Sequence, residues 1–220
     1  MRKTISAVLI ACAGMMLIPS LWGCAIVHFP RERKVKSLTE RLASGDTPDA
    51  MAALDELAKV KGESATEAIT LGLDHQRPGI REHSVEILGQ RRDPTAVPAL
   101  ACALKDTHAT IRKKAADALA EIGNRGAIEA LIDDLRQHAS MALMPSAFED
   151  YDAGSGNWTV DALVRIGSPA TSLLTAALQD NDAAVRAAAA ETLGKIGDAG
   201  FVENLIPLPV SYTHLRAHET

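Results

Sequence analysis

Three segments of the chain repeat one pattern, and this recurrence constrains the fold more than any other feature. They run from Leu73 to Gly89, from Leu104 to Gly123 and from Leu178 to Gly197. Each segment starts on a Leu, passes through short polar residues, opens a helical stretch on a β-branched residue plus Arg, and ends at Leu-Gly or Ile-Gly. The pattern predicts a unit of two helices joined by a short turn.

Leucines mark the period of these units. A step of 31 residues separates the leucines that are predicted to end the first helices, which are Leu42, Leu73, Leu104 and Leu135. The second helices keep this step from Leu57 through Leu88 to Leu119, but the next step, to Leu163, is 44 residues. Because a single unit cannot bury its apolar face whereas stacked units can, the period predicts a helical solenoid with an insertion in its fourth unit.

The second helices are amphipathic. In the third unit Ile111, Ala115, Leu119 and Ile122 recur at three- and four-residue steps and predict the buried face. Charged side chains on the other faces are predicted to meet solvent, and they are the candidate partner-binding residues of these helices. These candidates are Glu82, Glu86, Lys113, Asp117 and Glu121.

Glycines and arginines recur at the ends of the second helices. The glycines are predicted to be left-handed C-caps, where a residue without a side chain is favoured. They are Gly89, Gly123, Gly167 and Gly197. Arg81, Arg112 and Arg186 either form a functional ladder or, as we expect, pair with a turn aspartate of their own or the next unit, such as Asp106 or Asp180.

Over residues 37–209 the pattern resembles HEAT-like repeats of the phycobilisome-lyase type. The resemblance implies an all-α fold, a right-handed α-solenoid of stacked two-helix repeats whose second helices line the concave side. It does not imply lyase chemistry, because such repeats serve many unrelated proteins as binding scaffolds.

Residues 1–23 have the features of an export signal. Arg2 and Lys3 give a positive start, and the uncharged apolar stretch that follows is too short to span a bilayer comfortably. Leu21 to Cys24 resembles the lipobox of bacterial lipoproteins, in which the cysteine carries the lipid. The resemblance implies a lipid on Cys24 and a place in the bacterial cell envelope, on the periplasmic face of the outer membrane. An ordinary secretory leader and an uncleaved anchor helix are the alternatives.

Two further segments flank the predicted repeats. Residues 24–36 are predicted to form a basic tether, which is either a solvated spacer or lies against anionic headgroups. Residues 210–220 resemble the translation of a transposase-adapter oligonucleotide and are expected to be foreign to the natural protein. We therefore expect the natural chain to continue differently after Pro209.

The insertion, residues 140–157, concentrates unusual side chains. Phe148 and Tyr151 lie among acidic residues, and Trp158 follows directly. One interpretation is a loop whose aromatic side chains cover a gap between helices. A second is a partner-binding loop that contains Phe148 and Tyr151. A third, a calcium loop, fits poorly because Ser155 occupies the position at which a glycine is required.

Composition and motifs argue against several functions. The formal net charge of −5 disfavours nucleic acid as the main partner, because phosphate binding needs a basic surface. The sequence contains no glycine-rich phosphate loop, nucleophile elbow or metal-ligand spacing, so no catalytic residue, cofactor or metal is predicted. Cys102 is predicted to be a small buried side chain.

These observations favour a lipid-anchored, extracytoplasmic scaffold that binds an unidentified protein and has no enzymatic activity. The alternatives are an enzyme or enzyme subunit, such as a lyase-like chromophore handler, and the regulatory front end of a longer protein.

Overall fold

Ten α-helices form the described part of the chain, which in this computed structural model comprises residues 19–44, 46–142 and 155–197. They are α1 (Pro19–Ala43), α2 (Thr47–Lys59), α3 (Glu63–Thr70), α4 (Pro78–Arg91), α5 (Val97–Ala103), α6 (Ala109–Ile122), α7 (Arg125–Ala142), α8 (Ser155–Ile166), α9 (Thr171–Ala177) and α10 (Ala183–Ile196). Short 3-10 turns extend α3 over Leu71–Asp74 and precede α5 and α9 at Pro94–Ala96 and Ser168–Ala170. No strand occurs in these ranges.

The helices pack as five consecutive pairs. Each odd-numbered helix contacts the even-numbered helix that follows it, and the even-numbered helices α2, α4, α6, α8 and α10 also contact one another in chain order. Units that touch mainly their neighbours are the signature of a solenoid. The predicted all-α solenoid of stacked two-helix repeats is therefore confirmed.

One continuous core runs through all five pairs. Leu57, Leu88, Leu119 and Leu163, which occupy equivalent positions in successive second helices, are completely buried. The first helices contribute Ile69, Leu100, Leu131 and Leu174 to the same core. Small residues fill the space between these side chains and allow the helices to approach closely, as Ala115 and Ala189 do.

The N-terminal helix extends further toward the chain start than the repeat pattern indicates. It includes Cys24 and all of residues 24–36, and Val35 already belongs to the core, two residues before the predicted first residue of the array. None of the helices in the described ranges combines the length and hydropathy that a membrane span requires.

Three local predictions are wrong. Leu135 does not end a first helix, because α7 continues to Ala142. Gly89 is not a C-cap: it lies inside α4, and the left-handed cap is Arg92, with φ of 52°. Cys102 is exposed rather than buried.

Candidate protein-binding surface

The even-numbered helices form one surface, here named the second-helix face, and it contains a groove of about 780 Å³ where α4, α6 and α8 meet. Val85, Gly89 and Ala118 supply its apolar part. A Cβ atom added to Gly89 would lie 3.0 Å from the Cβ and 3.1 Å from the Cα of Ala118. Gly89 therefore serves the close approach of two helices.

Charged side chains from neighbouring helices line the groove and pair across it. Lys114 of α6 binds both Glu82 and Glu86 of α4. Between α6 and α8, Arg165 donates from Nη1 to Asp117 Oδ1 at 3.0 Å and from Nη2 to the Asp117 carbonyl at 2.7 Å.

Three more contacts, made by Arg92 and His83, continue this pairing. Arg92, which follows α4, binds Glu121 of α6. His83 Nε2 of α4 lies 2.8 Å from Asp55 Oδ1 of α2, and its Nδ1 lies 3.6 Å from Glu86 Oε2. Side-chain contacts thus connect four consecutive second helices at the solvent side of their packing interfaces.

The pairing fixes the charge state of the groove. Hydrogen bonds to Glu82 and Glu86 raise the pKa of the Lys114 ammonium group. The hydrogen bond from Lys114 in turn lowers the pKa of Glu86, with a smaller contribution from His83. Lys114 and Glu86 are therefore both charged at neutral pH, and the groove presents paired positive and negative groups over an apolar floor. Such a surface suits recognition of a peptide with both polar and apolar groups.

The structure brings together three of the predicted partner-binding residues. Glu86, Asp117 and Glu121 line the groove. Glu82 lies beside them through its contact with Lys114. Lys113 is exposed on α6, and its side chain makes no ion pair or hydrogen bond with another residue in the described ranges.

The other predicted positions fall elsewhere. Phe148 and Tyr151 lie outside the described residues. Cys24 is within α1, in a part of the helix whose side chains are not described.

Sequence reasoning missed Lys114, Arg92 and Arg165. Lys114 differs from Lys113 by one residue, which rotates a side chain by about 100° around the helix and decides whether it reaches α4. Arg165 lies 44 residues after Glu121, the same step that separates Leu119 from Leu163. Glu121 and Arg165 thus occupy equivalent positions in two successive units. This change from an acidic to a basic residue is visible in the sequence.

Of the three turn arginines, Arg81 alone makes the predicted ion pair with a turn aspartate in the described ranges, and the prediction is wrong for Arg112 and Arg186. The guanidinium group of Arg81 donates to both carboxylate oxygens of Asp106 in the next unit, at 2.7 and 3.0 Å. Arg112 and Arg186 instead donate to carbonyls of their own turns, and Arg112 Cζ lies 5.8 Å from the ring centroid of Trp158. The functional-ladder interpretation has no support in these contacts.

No group of three or more potential metal ligands forms within the described ranges. Cys102, although exposed, has no second cysteine beside it there.

The stacked helix pairs and their charged groove define the chain as an α-solenoid repeat protein. A model of HEAT repeats matches residues 35–107, 66–142 and 140–209, and the chain belongs to this family. A comparison with curated protein sequences gives no match.

Solved structures of similar fold include both natural and designed proteins. The complex of CpcE and CpcF of phycocyanin lyase from Nostoc sp. PCC7120 shares 23% identity at a TM-score of 0.50, over 78% of this chain and 68% of that chain. Human deoxyhypusine hydroxylase shares 20% identity at a TM-score of 0.46, over 82% of this chain and 80% of that chain. A computationally designed armadillo repeat protein shares 18% identity at a TM-score of 0.40, over 77% of this chain and 90% of that chain. At such identities the likeness concerns the fold alone.

Proposed function

We propose that the chain is a lipid-anchored, extracytoplasmic HEAT-repeat scaffold that binds another protein through its second-helix face. The observation that carries the proposal is the groove of about 780 Å³, in which paired charges from three helices surround an apolar floor. Because these side chains are already held by each other, a partner can bind with little loss of side-chain entropy.

The proposed location is the bacterial cell envelope, at the periplasmic face of the outer membrane. It rests on the lipobox-like residues that end at Cys24. Phe148 and Tyr151 belong to the proposed partner-binding surface as a separate element, in the insertion.

A photo-crosslinking amino acid at Lys113 tests the binding surface. Lys113 is exposed and makes no described contact, so its replacement should leave the fold intact. Irradiation of cells should give one dominant adduct, identified by mass spectrometry. The matched control carries the same group at Lys105, an exposed residue of the turn between α5 and α6, and should give none of that adduct.

The adduct should also respond to charge on the groove. Asp117→Lys places a cation against Arg165 and should reduce the yield of the adduct several-fold. The free energy of unfolding should change by no more than about 1 kcal/mol, because the Asp117–Arg165 pair is exposed. Equal adducts from positions 113 and 105, or no adduct from position 113, would contradict the proposal.

The alternative is an enzyme or enzyme subunit such as a lyase-like chromophore handler. Its support is the similarity in fold to the phycocyanin lyase complex. A visible absorption band on the protein purified from its native host, abolished by denaturation, would favour this alternative over the scaffold.

A further inference from the structure

A second cavity, of about 540 Å³, lies between the C-terminal ends of α2 and α4. Ala58 and the buried Ile87 contribute apolar surface, and Lys61 and Arg91 contribute positive charge. Gln90 lines both this cavity and the groove on the second-helix face. The two cavities therefore adjoin each other at Gln90 of α4.

Two arginine side chains converge on Gly62 at the rim of this cavity. Arg91 donates from Nη2 to the Gly62 carbonyl at 3.1 Å. A Cβ atom on Gly62 would lie 2.9 Å from Nη2 of Arg31, so the guanidinium group lies directly against this glycine. Gly62 also has φ of 114°, a backbone conformation that residues with side chains rarely adopt.

The convergence concentrates positive charge. Burial lowers the pKa of Arg91, Arg31 lowers it further, and Asp93 opposes this. The Asp93 carboxylate already accepts hydrogen bonds from Thr66 and Thr95. Arg31 and Lys61 have no ion pair with any residue in the described ranges.

This arrangement contrasts with the second-helix face. There Lys114, Arg92 and Arg165 each bind a carboxylate. Asp93 offsets part of the charge of Arg91, but no carboxylate in the described ranges pairs with Arg31 or Lys61, and an added anion relieves the repulsion between these cations. A cluster with unpaired cations in a protein of net charge −5 is thus suited to a negatively charged ligand.

We propose that Arg31, Lys61 and Arg91, here named the basic corner, bind an acidic segment of the partner polypeptide whose remaining residues occupy the groove on the second-helix face. This inference rests on the proposed scaffold function. Arg31 and Lys61 contact the carboxylates, and Arg91, held by backbone carbonyls, contributes its charge.

The occupant is a polypeptide rather than a membrane surface because of the shape of the site. Its apolar atoms, from Ala58 and Ile87, lie within a cavity between two helices, and the cavity adjoins the groove at Gln90. A planar array of headgroups reaches protruding side chains, whereas an extended peptide can enter a recess and continue along it.

Fluorescence anisotropy with the full chain tests the basic corner. The probes are labelled peptides of alternating glutamate and leucine, and a matched peptide with glutamine in place of glutamate. The acidic peptide should bind more tightly, and Arg31→Gln combined with Lys61→Gln should weaken it about tenfold, with a smaller effect at high salt. Lys105→Gln, at an exposed lysine outside both cavities, should leave the affinity unchanged.

Several outcomes would overturn the inference. Equal affinity for the two peptides, or no binding of the acidic peptide up to about 1 mM, removes the acidic segment as ligand. Binding to phosphatidylglycerol vesicles that disappears in the double variant, without any effect on the peptide, assigns the corner to the membrane.

The experiment distinguishes an incorrect role for the basic corner from an incorrect role for the second-helix face. Asp117→Lys, on the second-helix face, should alter binding of the glutamine peptide if the groove is used at all. If Asp117→Lys changes peptide affinity but Arg31→Gln combined with Lys61→Gln does not, the scaffold proposal stands and the proposed role of the basic corner is rejected. Melting curves of all variants should coincide with that of the wild type, since the substituted side chains are not core residues.

Discussion

Gly89 and Gly194 occupy equivalent positions in α4 and α10, each directly after a buried leucine, but their surroundings differ. A Cβ atom at Gly89 would press on the backbone of Ala118, whereas at Gly194 no described atom lies within 4 Å. Gly89→Ala should therefore lower the free energy of unfolding by about 1–3 kcal/mol. Gly194→Ala should raise it by about 0.5–1 kcal/mol, since alanine favours a helix. Denaturant melts of both variants measure this difference, and shifts of the same sign would contradict the packing described at Gly89.

Asp106 gives the inter-unit contact with Arg81 a pH dependence. Its side chain is 9% exposed, and although burial raises its pKa, the hydrogen bonds from Arg81 and from the backbone N–H of His108 lower it to about 2. The unfolded chain takes up the proton at higher pH than the folded protein, so the stabilisation is complete above about pH 4 and is lost as the pH falls toward 2.

Asp106→Asn should remove this acid-dependent stabilisation of about 2 kcal/mol. Free energies of unfolding measured between pH 5 and pH 2 should converge for the variant and the wild type as the pH falls. Arg81→Met should give the same convergence because it removes the other partner. Parallel pH profiles would show that the Asp106 pair does not titrate as described.

At the scale of single side chains, the sequence identified the leucine core well and the groove only in part. The leucines recur with a period, and burial follows from that period. Cys102 was misplaced because α5, VPALACA, contains no polar residue that would indicate its solvent side. Lys114 was missed because a small rotation about the helix axis separates it from Lys113, and that rotation depends on how α6 packs against α4.

At the scale of helices, α4 departs from the repeat pattern at its C-terminal end. Arg91 stands where the third and fifth units have Ile122 and Ile196, and Arg92 stands where they have glycine. Arg91 donates to the Val60 carbonyl at 2.8 Å and to Gly62 at 3.1 Å, so it satisfies carbonyls that follow the C-terminus of α2.

Two adjacent substitutions that restore the repeat pattern should have opposite effects. Arg91→Ile should lower the free energy of unfolding by about 1–3 kcal/mol, because the carbonyls at the end of α2 lose their donor. Arg92→Gly should be neutral or stabilising by up to about 1 kcal/mol, since it relieves a positive φ and removes only an exposed ion pair. Thermal melts compare them, and stabilisation by Arg91→Ile would refute the capping role.

The bounds of α7 show where helix prediction from the period fails. The first helices of the third and fifth units end before Asp106 and Asp180, which accept hydrogen bonds within the turn. The equivalent residue after Leu135 is Gln137, which cannot form such a short-range turn readily. Helix formation therefore continues to Ala142, and the leucine period alone could not reveal it.

At the scale of the whole molecule, stability is distributed along the array. The core is continuous, yet each pair of helices contacts mainly its neighbours, so a local substitution acts on one or two interfaces. The proposed functions separate in the same way. The proposed lipid attachment at Cys24 precedes the repeats in the chain, and the groove lies at the junction of the second, third and fourth pairs.

Membrane attachment through Cys24 remains a prediction with a direct test. Expressed in a suitable bacterium, the protein should incorporate labelled fatty acid and sediment with membranes, and Cys24→Ala should abolish both. Cys102→Ala is the matched control, because Cys102 is exposed but lies within the repeats, and it should keep the label. Equal labelling of the wild type and Cys24→Ala would exclude lipid attachment at this cysteine.

The length of α7 separates the insertion from the repeat core of the fourth unit. The helix continues seven residues, about 10 Å, beyond Leu135, and α8 begins eight residues before the buried Leu163. Residues 143–154 thus join two helix ends that stand apart from the core leucines of their own unit. The leucine period that specifies the core therefore places no constraint on the length or the composition of residues 143–154.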